Sequence, residues 1–104
     1  MDRREREMRL RYSAHAEEKI RIRKLSKDEI RLTLEDPDYR FYDVATNANV
    51  AVKDIVGPGE KMGLVVVFTV TREGFRIVTV FPVKDLSGEI RRKVNSRRWL
   101  YLAR

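Results

Sequence analysis

The chain has 104 residues, with Lys+Arg 23 against Asp+Glu 16, a net charge of +7, one histidine and no cysteine. That composition excludes disulfides, thiol catalysis and thiolate metal centres, and it leaves too few ligands for a zinc site of the usual kind, so neither metal nor cofactor is expected. The length suits one domain over residues 1–104, with a core burying about 60–65% of the unfolded surface, and the positive balance points to nucleic acid, an acidic protein or an anionic surface.

Residues 1–7 read as a charged N-terminal extension. Met8, Leu10 and Tyr12 then alternate with Arg9, Arg11 and Ser13, a period of two that predicts a strand with one buried face. A helix follows from about Ala14 to Lys24, with a narrow apolar set of Ala16, Ile20 and Ile22. Ser26 and Glu29 form a capping box for a second helix whose stripe is Ile30 and Leu34. Pro37 ends it, because the residue before a proline avoids helical backbone.

Strand signals come next. Tyr39 to Ala45 is aromatic and β-branched, 46–49 reads as an asparagine-rich turn, and Val50 to Val56 is the next strand. Residues 57–61 form a loop by composition, Leu64 to Val70 is a central strand, and 71–74 is a turn. Phe75 to Phe81 is the last long strand, closed by Pro82. Leu86, Ile90 and Val94 recur at spacing four, predicting a C-terminal helix shortened or frayed by Gly88. The apolar ending Trp99 to Leu102 must dock somewhere. Helices followed by hairpin-linked strands imply an α+β fold, with the helix pair on one sheet face. No apolar run approaches the roughly 20 residues that span a bilayer. The start lacks a signal-peptide apolar segment, so a cytoplasmic protein without membrane partners is expected. Abundant Arg and Glu without Cys or Gln suggest a thermophilic source.

Two basic features carry functional expectations. Parity places Phe75, Ile77, Thr79 and Phe81 on one face of the last strand, and it lets Arg9, Arg11, Lys53 and Arg76 gather on the other as a phosphate-binding patch. Residues 84–104 form a basic C-terminal segment, in which Arg91, Arg92, Lys93, Arg97, Arg98 and Arg104 follow Ile90 with no acid among them. Trp99 and Tyr101 interleave these cations, a pattern suited to single-stranded nucleic acid. The alternative is a solvated basic helix face whose aromatics anchor the tail, with Trp99 as a core plug.

A further set lies on the first helix, where His15, Lys19 and Arg23 are spaced by four and stack along one face. A histidine, an ammonium and a guanidinium in one row can serve a phosphate, with His15 as general acid or base, the imidazole being the side chain suited to proton transfer near neutral pH. Equally, His15 at the first turn can bond a carbonyl and fix the strand-to-helix junction.

Several segments together resemble a small prokaryotic domain family of unknown function, related to the RelE/ParE toxins and to the BrnT-type ribonuclease toxin. They are S-A-H-A-E-E-K-I-R-I-R-K-L from Ser13, D-P-D-Y-R-F-Y-D from Asp36, and the strand runs V-A-V-K, L-V-V-V-F and F-R-I-V-T-V-F-P. The closing V-N-S-R-R-W completes the likeness, which spans Leu10 to Trp99. The resemblance implies a RelE-like fold: an N-terminal strand, two helices, a four-stranded antiparallel meander and a basic C-terminal helix. It implies RNA or ribosome-bound mRNA as the target, an acidic antitoxin as partner, and metal-free endoribonuclease chemistry in which the ribose 2′-hydroxyl attacks the adjacent phosphate. By position, Lys84 and Arg91 to Lys93 fall in the regions where such toxins carry key cations. Arg76, Lys84 and His15 are the catalytic candidates. Arg9, Arg11, Lys19, Arg23, Lys53, Arg91, Arg92, Lys93, Arg97 and Arg98 are the phosphate-binding ones. The functional tyrosine of such toxins has no match at its usual place, Tyr101 lying later. A non-catalytic nucleic-acid- or protein-binding module on the same fold is the alternative, and ParE-like relatives act on gyrase.

Overall fold

The computed structural model describes residues 9–57 and 60–103. Its elements in chain order are β1 (Leu10–Tyr12), α1 (Ala14–Arg23), α2 (Lys27–Glu35), β2 (Tyr39–Asp43), β3 (Ala48–Gly57), β4 (Glu60–Thr71), β5 (Gly74–Val83), α3 (Leu86–Asn95) and β6 (Trp99–Ala103). Three helices and six strands make an α+β fold. The strand order is β1-β5-β4-β3-β2-β6, antiparallel except for the β1–β5 pair. Met8 and the extension over residues 1–7 lie outside the described residues.

Local chemistry accounts for the helices. Ser13 Oγ accepts from Ala16 N at 3.0 Å and donates to the Val78 carbonyl at 2.8 Å, so one hydroxyl both caps α1 and fixes its start to β5. Ser26 Oγ accepts from Glu29 N at 3.3 Å and opens α2. The α1 stripe is narrow, as the sequence implied. Only Ala16 is fully buried, and Ile22, counted among its apolar residues, is exposed. Gly88 does not fray α3. Asp85 Oδ1 caps the helix by accepting from Gly88 N at 3.0 Å, and a Cβ at residue 88 would stand 2.2 Å from Asp85 Oδ2. The glycine makes room for the cap.

The sheet has a core on each face. Against α1 and α2 lie Ile30, Ala51, Leu64, Val66, Phe68, Ile77 and Val80, with Leu10, Tyr12 and Phe75 beside them. Against α3 lie Phe41, Val50, Val52, Val65, Val67, Leu86 and Trp99, with Val78, Phe81 and Val83. Two covered faces explain the near-continuous apolar run of β4. They also explain the mixed character of β5, whose register against β4 shifts between Val67 and Phe68. This irregularity breaks the strict alternation, so Phe75 and Ile77 face the helix pair while Phe81 faces α3. The expectation that Phe75, Ile77, Thr79 and Phe81 share a face is thereby corrected.

Two further expectations change. Of the loop expected over residues 57–61, Gly57, Glu60 and Lys61 are paired within β3 and β4, while residues 58–59 lie outside the described residues. The apolar ending is a sixth strand on the β2 edge, and the expected five-strand layout is one short. Pro82 sits within β5, paired to Leu64. It is tolerated because β1 covers β5 only at Phe75 to Ile77, leaving the proline's missing N–H on the uncovered side.

Candidate nucleic-acid interface

On the α3 side of the sheet, the β1–β5 corner carries cations. Arg11 and Arg76 are register partners on adjacent parallel strands, and because Leu10 and Tyr12 face the helix pair, the two arginines face the other way. Arg11 meets Glu73 at 3.0 Å, while Arg76 is exposed and takes no carboxylate from the described residues. Arg9 precedes the strand with its carbonyl held by Phe75 N at 2.7 Å. Lys53 does not join this patch. It pairs in register with Leu64, on the helix-pair face, where its ammonium bonds the Asp36 carbonyl at 2.8 Å and lies 3.3 Å from Asp36 Oδ2 and 3.8 Å from Asp38 Oδ1. A largely buried lysine ringed by carboxylates is a structural tie rather than a phosphate ligand.

The second basic region surrounds α3 and β6. Residues two apart on a helix point about 200° apart, so Arg91 and Lys93 project to opposite flanks and the expected Arg91–Lys93 cluster is divided. Lys93 Nζ stands 6.0 Å from the Trp99 ring centroid, and Arg92 pairs with Glu89 at 2.9 Å. Arg97 adopts a left-handed φ of 62° and turns the chain from α3 into β6. Arg98 is drawn inward. Its Nε donates to Asp43 Oδ1 at 3.0 Å, and Trp99 Nε1 donates to Asp43 Oδ2 at 3.3 Å. Ala45 N and Thr46 N donate to the same Asp43 Oδ1. Burial alone would raise the Asp43 pKa, but the bonds from Arg98, Thr46 and Ala45 outweigh it and hold the carboxyl below its ordinary value. Arg98 thus clips the strand to the β2–β3 turn.

Trp99 is the core plug, only 2% exposed, and it stacks on Phe41 with centroids 5.2 Å apart. The row then emerges to solvent. Phe41 meets Tyr101 edge-on at 5.8 Å, and Tyr101 meets Tyr39 at 6.4 Å. Tyr101 is 58% exposed and Tyr39 45%, so two tyrosine rings stand open beside the basic helix. Tyr39 was not singled out from sequence. Its signal was the period-two relation to Phe41 and Asp43, which puts all three on one face of β2.

The remaining candidates are scattered. His15 and Arg23 are exposed and Lys19 half-buried on α1, which packs on the opposite sheet face through Ala16 and Ile20. Arg76 and Lys84 stand eight extended residues apart, roughly 26 Å along β5, so they cannot serve one phosphate. Arg76 lies on β5, Lys84 just beyond its end and His15 on α1. Among the described residues, no three His, Cys, Asp or Glu side chains are grouped to hold a metal ion, and no helix is long and apolar enough to cross a membrane. No family model, curated protein or solved structure matches the chain.

Proposed function

We propose that the chain is a RelE-like RNA-binding protein that holds single-stranded RNA along the α3, β6 and β2 surface. The observation that carries this reading is the pair of open rings, Tyr39 and Tyr101, in one aromatic row with Phe41 and with Trp99, whose ring Lys93 approaches. Arg91 and Arg97 take no carboxylate from the described residues. Rings accept unpaired bases and free cations accept the phosphates between them. Arg76 lies on the same sheet face, roughly 19 Å from β6 across four strand spacings, and would extend the track for a longer strand. The test is anisotropy of a labelled uridine-tract oligoribonucleotide across a salt series. Arg91→Ala and Arg97→Ala should weaken binding and flatten the salt dependence. Tyr39→Leu and Tyr101→Leu should weaken binding about tenfold each with the salt slope unchanged, since stacking gives about 1–3 kcal/mol per base. Wild-type affinity in all four variants would sink the reading.

A second reading, favoured by the net charge of +7, makes the protein a cytoplasmic toxin neutralised by an acidic antitoxin. Cleavage would then follow attack of a ribose 2′-hydroxyl on its own 3′-phosphate, leaving a cyclic phosphate and a free 5′-hydroxyl. Because Arg76 and Lys84 are too far apart to cooperate, only one of them could attend the reacting phosphate. Intact RNA after prolonged incubation with bound protein would leave the binding module and remove the nuclease.

A further inference from the structure

The helix pair does not cover the whole of its sheet face. α1 packs chiefly on β5 and α2 on β3 and β4, and β2 and β6 lie past them in the strand order. Where the cover ends, a groove of about 150 Å³ opens, with Ala51 beneath it and Leu34, Phe68 and Phe75 among its walls. Phe68 and Phe75 meet edge to face with ring centroids 5.4 Å apart, which gives the groove a fixed aromatic corner. Two polar side chains also line it, Arg40 and Asn49. Arg40 pairs with Ala51 and Asn49 stands two residues along the same strand, so the two are diagonal neighbours within reach of one small ligand. Arg40 is exposed and Asn49 half-buried, and neither side chain has a hydrogen-bond or ion-pair partner among the described residues. An apolar hollow thus stands beside two unused donors, one of them charged.

We propose that this groove binds a small monocarboxylate carrying one ring-sized apolar group. Its volume is of the order that holds one benzene-sized ring. The ring packs against Phe68, Phe75 and Leu34, where it exchanges water for apolar contact. The carboxylate meets the planar fork of Arg40 with both oxygens, and the Asn49 amide donates to one of them. Small-molecule sites commonly combine an apolar lining with a few polar groups of this kind. Charge selects the class of anion. Arg40 is the one cation that lines the groove, so it balances a single negative charge and leaves a phosphate dianion half neutralised. A neutral ring compound would gain the same apolar contact while leaving the guanidinium without its anion. Arg40 alternates with Tyr39 and Phe41 along β2, so the groove lies on the sheet face away from the open tyrosines, and the inference stands apart from the RNA reading.

The probe is phenylacetate, followed by backbone amide NMR shifts on the full chain. We expect saturable shifts at Asn49, Ala51 and Phe75 with a Kd of about 1 mM or tighter, as suits a ligand of about ten non-hydrogen atoms. Acetate, which lacks the ring, and phenylacetamide, which lacks the charge, should each bind at least about tenfold more weakly. Arg40→Gln should weaken phenylacetate at least about tenfold and leave phenylacetamide unchanged. Val70→Trp, at a lining position that is 65% exposed, should block phenylacetate by filling the groove. Both variants change exposed residues, and their spectra report folding in the same experiment. Neither should alter uridine-tract binding, so this inference and the RNA reading fail separately. Absence of saturable shifts at tens of millimolar phenylacetate overturns the proposal, as does equal binding of phenylacetamide or an unchanged affinity in Arg40→Gln. Shifts centred on α3 would place the ligand elsewhere and overturn it too. Tighter binding of phenyl phosphate than of phenylacetate would assign the groove to phosphates and overturn it equally.

Discussion

Asp43 is the residue on which the C-terminal segment depends most, and replacing it tests the described arrangement directly. Asp43 is 3% exposed, and its carboxylate accepts from Arg98 Nε, Trp99 Nε1 and the backbone of Ala45 and Thr46. Asp43→Ala leaves the buried indole N–H without a partner and frees two turn amides. Breaking a buried ion pair by removing one partner costs about 3–5 kcal/mol. The Arg98 side chain is 41% exposed and recovers part of its solvation, so we expect the lower end, about 3 kcal/mol. On a chain of this length that lowers Tm by roughly 12–24 °C at 4–8 °C per kcal/mol. Urea unfolding followed by fluorescence of Trp99, the sole tryptophan, gives both midpoint and slope. The slope should stay constant, because the variant loses bonds rather than compactness. Since the folded-state pKa of Asp43 is depressed, its stabilisation is fully present above the unfolded value of about 3.9 and is lost as pH falls through the lower folded value. The gap between wild type and Asp43→Asn should therefore be flat above about pH 5 and close below about pH 4. An unchanged urea midpoint in Asp43→Ala, or a gap that persists undiminished at pH 2, would refute the account.

Three other outcomes follow from particular positions. Arg97→Gly should stabilise the fold by about 0.5–1 kcal/mol, because glycine suits the left-handed backbone at φ 62°; the same variant should bind uridine-tract RNA more weakly, a split visible by running denaturation and anisotropy on one preparation. Gly74→Ala should detach β1, since the backbone has φ 148° and the added Cβ would stand 2.3 Å from the Arg9 carbonyl oxygen; hydrogen exchange should show lost protection at Phe75 N, whose bond is to that carbonyl. Finally, Arg76→Ala and Lys84→Ala should be additive on RNA affinity in a double-mutant cycle, as sites roughly 26 Å apart along a strand usually are; a coupling above about 0.5 kcal/mol would show that they share a phosphate after all.

Much of the fold was legible because local signals agreed with the global arrangement. Ser26 with Glu29, and the turns at Asn47 and Gly74, act over three or four residues and need no knowledge of the sheet. What the chain hides is what depends on register. The β5 irregularity moves Phe81 to the α3 face, and no residue in F-R-I-V-T-V-F-P marks where alternation will break. Lys53 reads as surface between Val52 and Asp54, yet two carboxylates from the α2–β2 connection reach across to it. The sixth strand follows a helix by only three residues, and W-L-Y-L-A is as readable as a docked tail as it is as a strand. In the candidate site, the cations were visible as composition, but Tyr39 lies 62 residues from Tyr101 and only strand pairing brings their rings together.

Which charges the fold consumes bears on what the surface can do. Lys53, Arg98 and Lys27 are each engaged by carboxylates, Lys27 with Glu17 at 2.8 Å while it sits 4.5 Å over the Tyr12 ring. Arg11 and Arg92 are exposed and paired to Glu73 and Glu89, contacts worth at most about 1 kcal/mol each. A polyanion can displace such pairs at little cost, since the guanidinium exchanges one anion for another. Arg76, Lys84, Arg91 and Arg97 are already free of carboxylates from the described residues. Arg76, Arg91, Arg97 and the weakly paired Arg11 and Arg92 lie on the α3 side of the sheet or on α3 and its turn, whereas the tightly held Lys53 and the Lys27–Tyr12 contact lie on the helix-pair side. Exposed cations also stand on α1 and at Arg40, and Arg98 on the α3 side is held by Asp43; what distinguishes the α3 side is that its available cations share a sheet face with the open tyrosines Tyr39 and Tyr101, the combination a binding track for a phosphate backbone with unpaired bases requires.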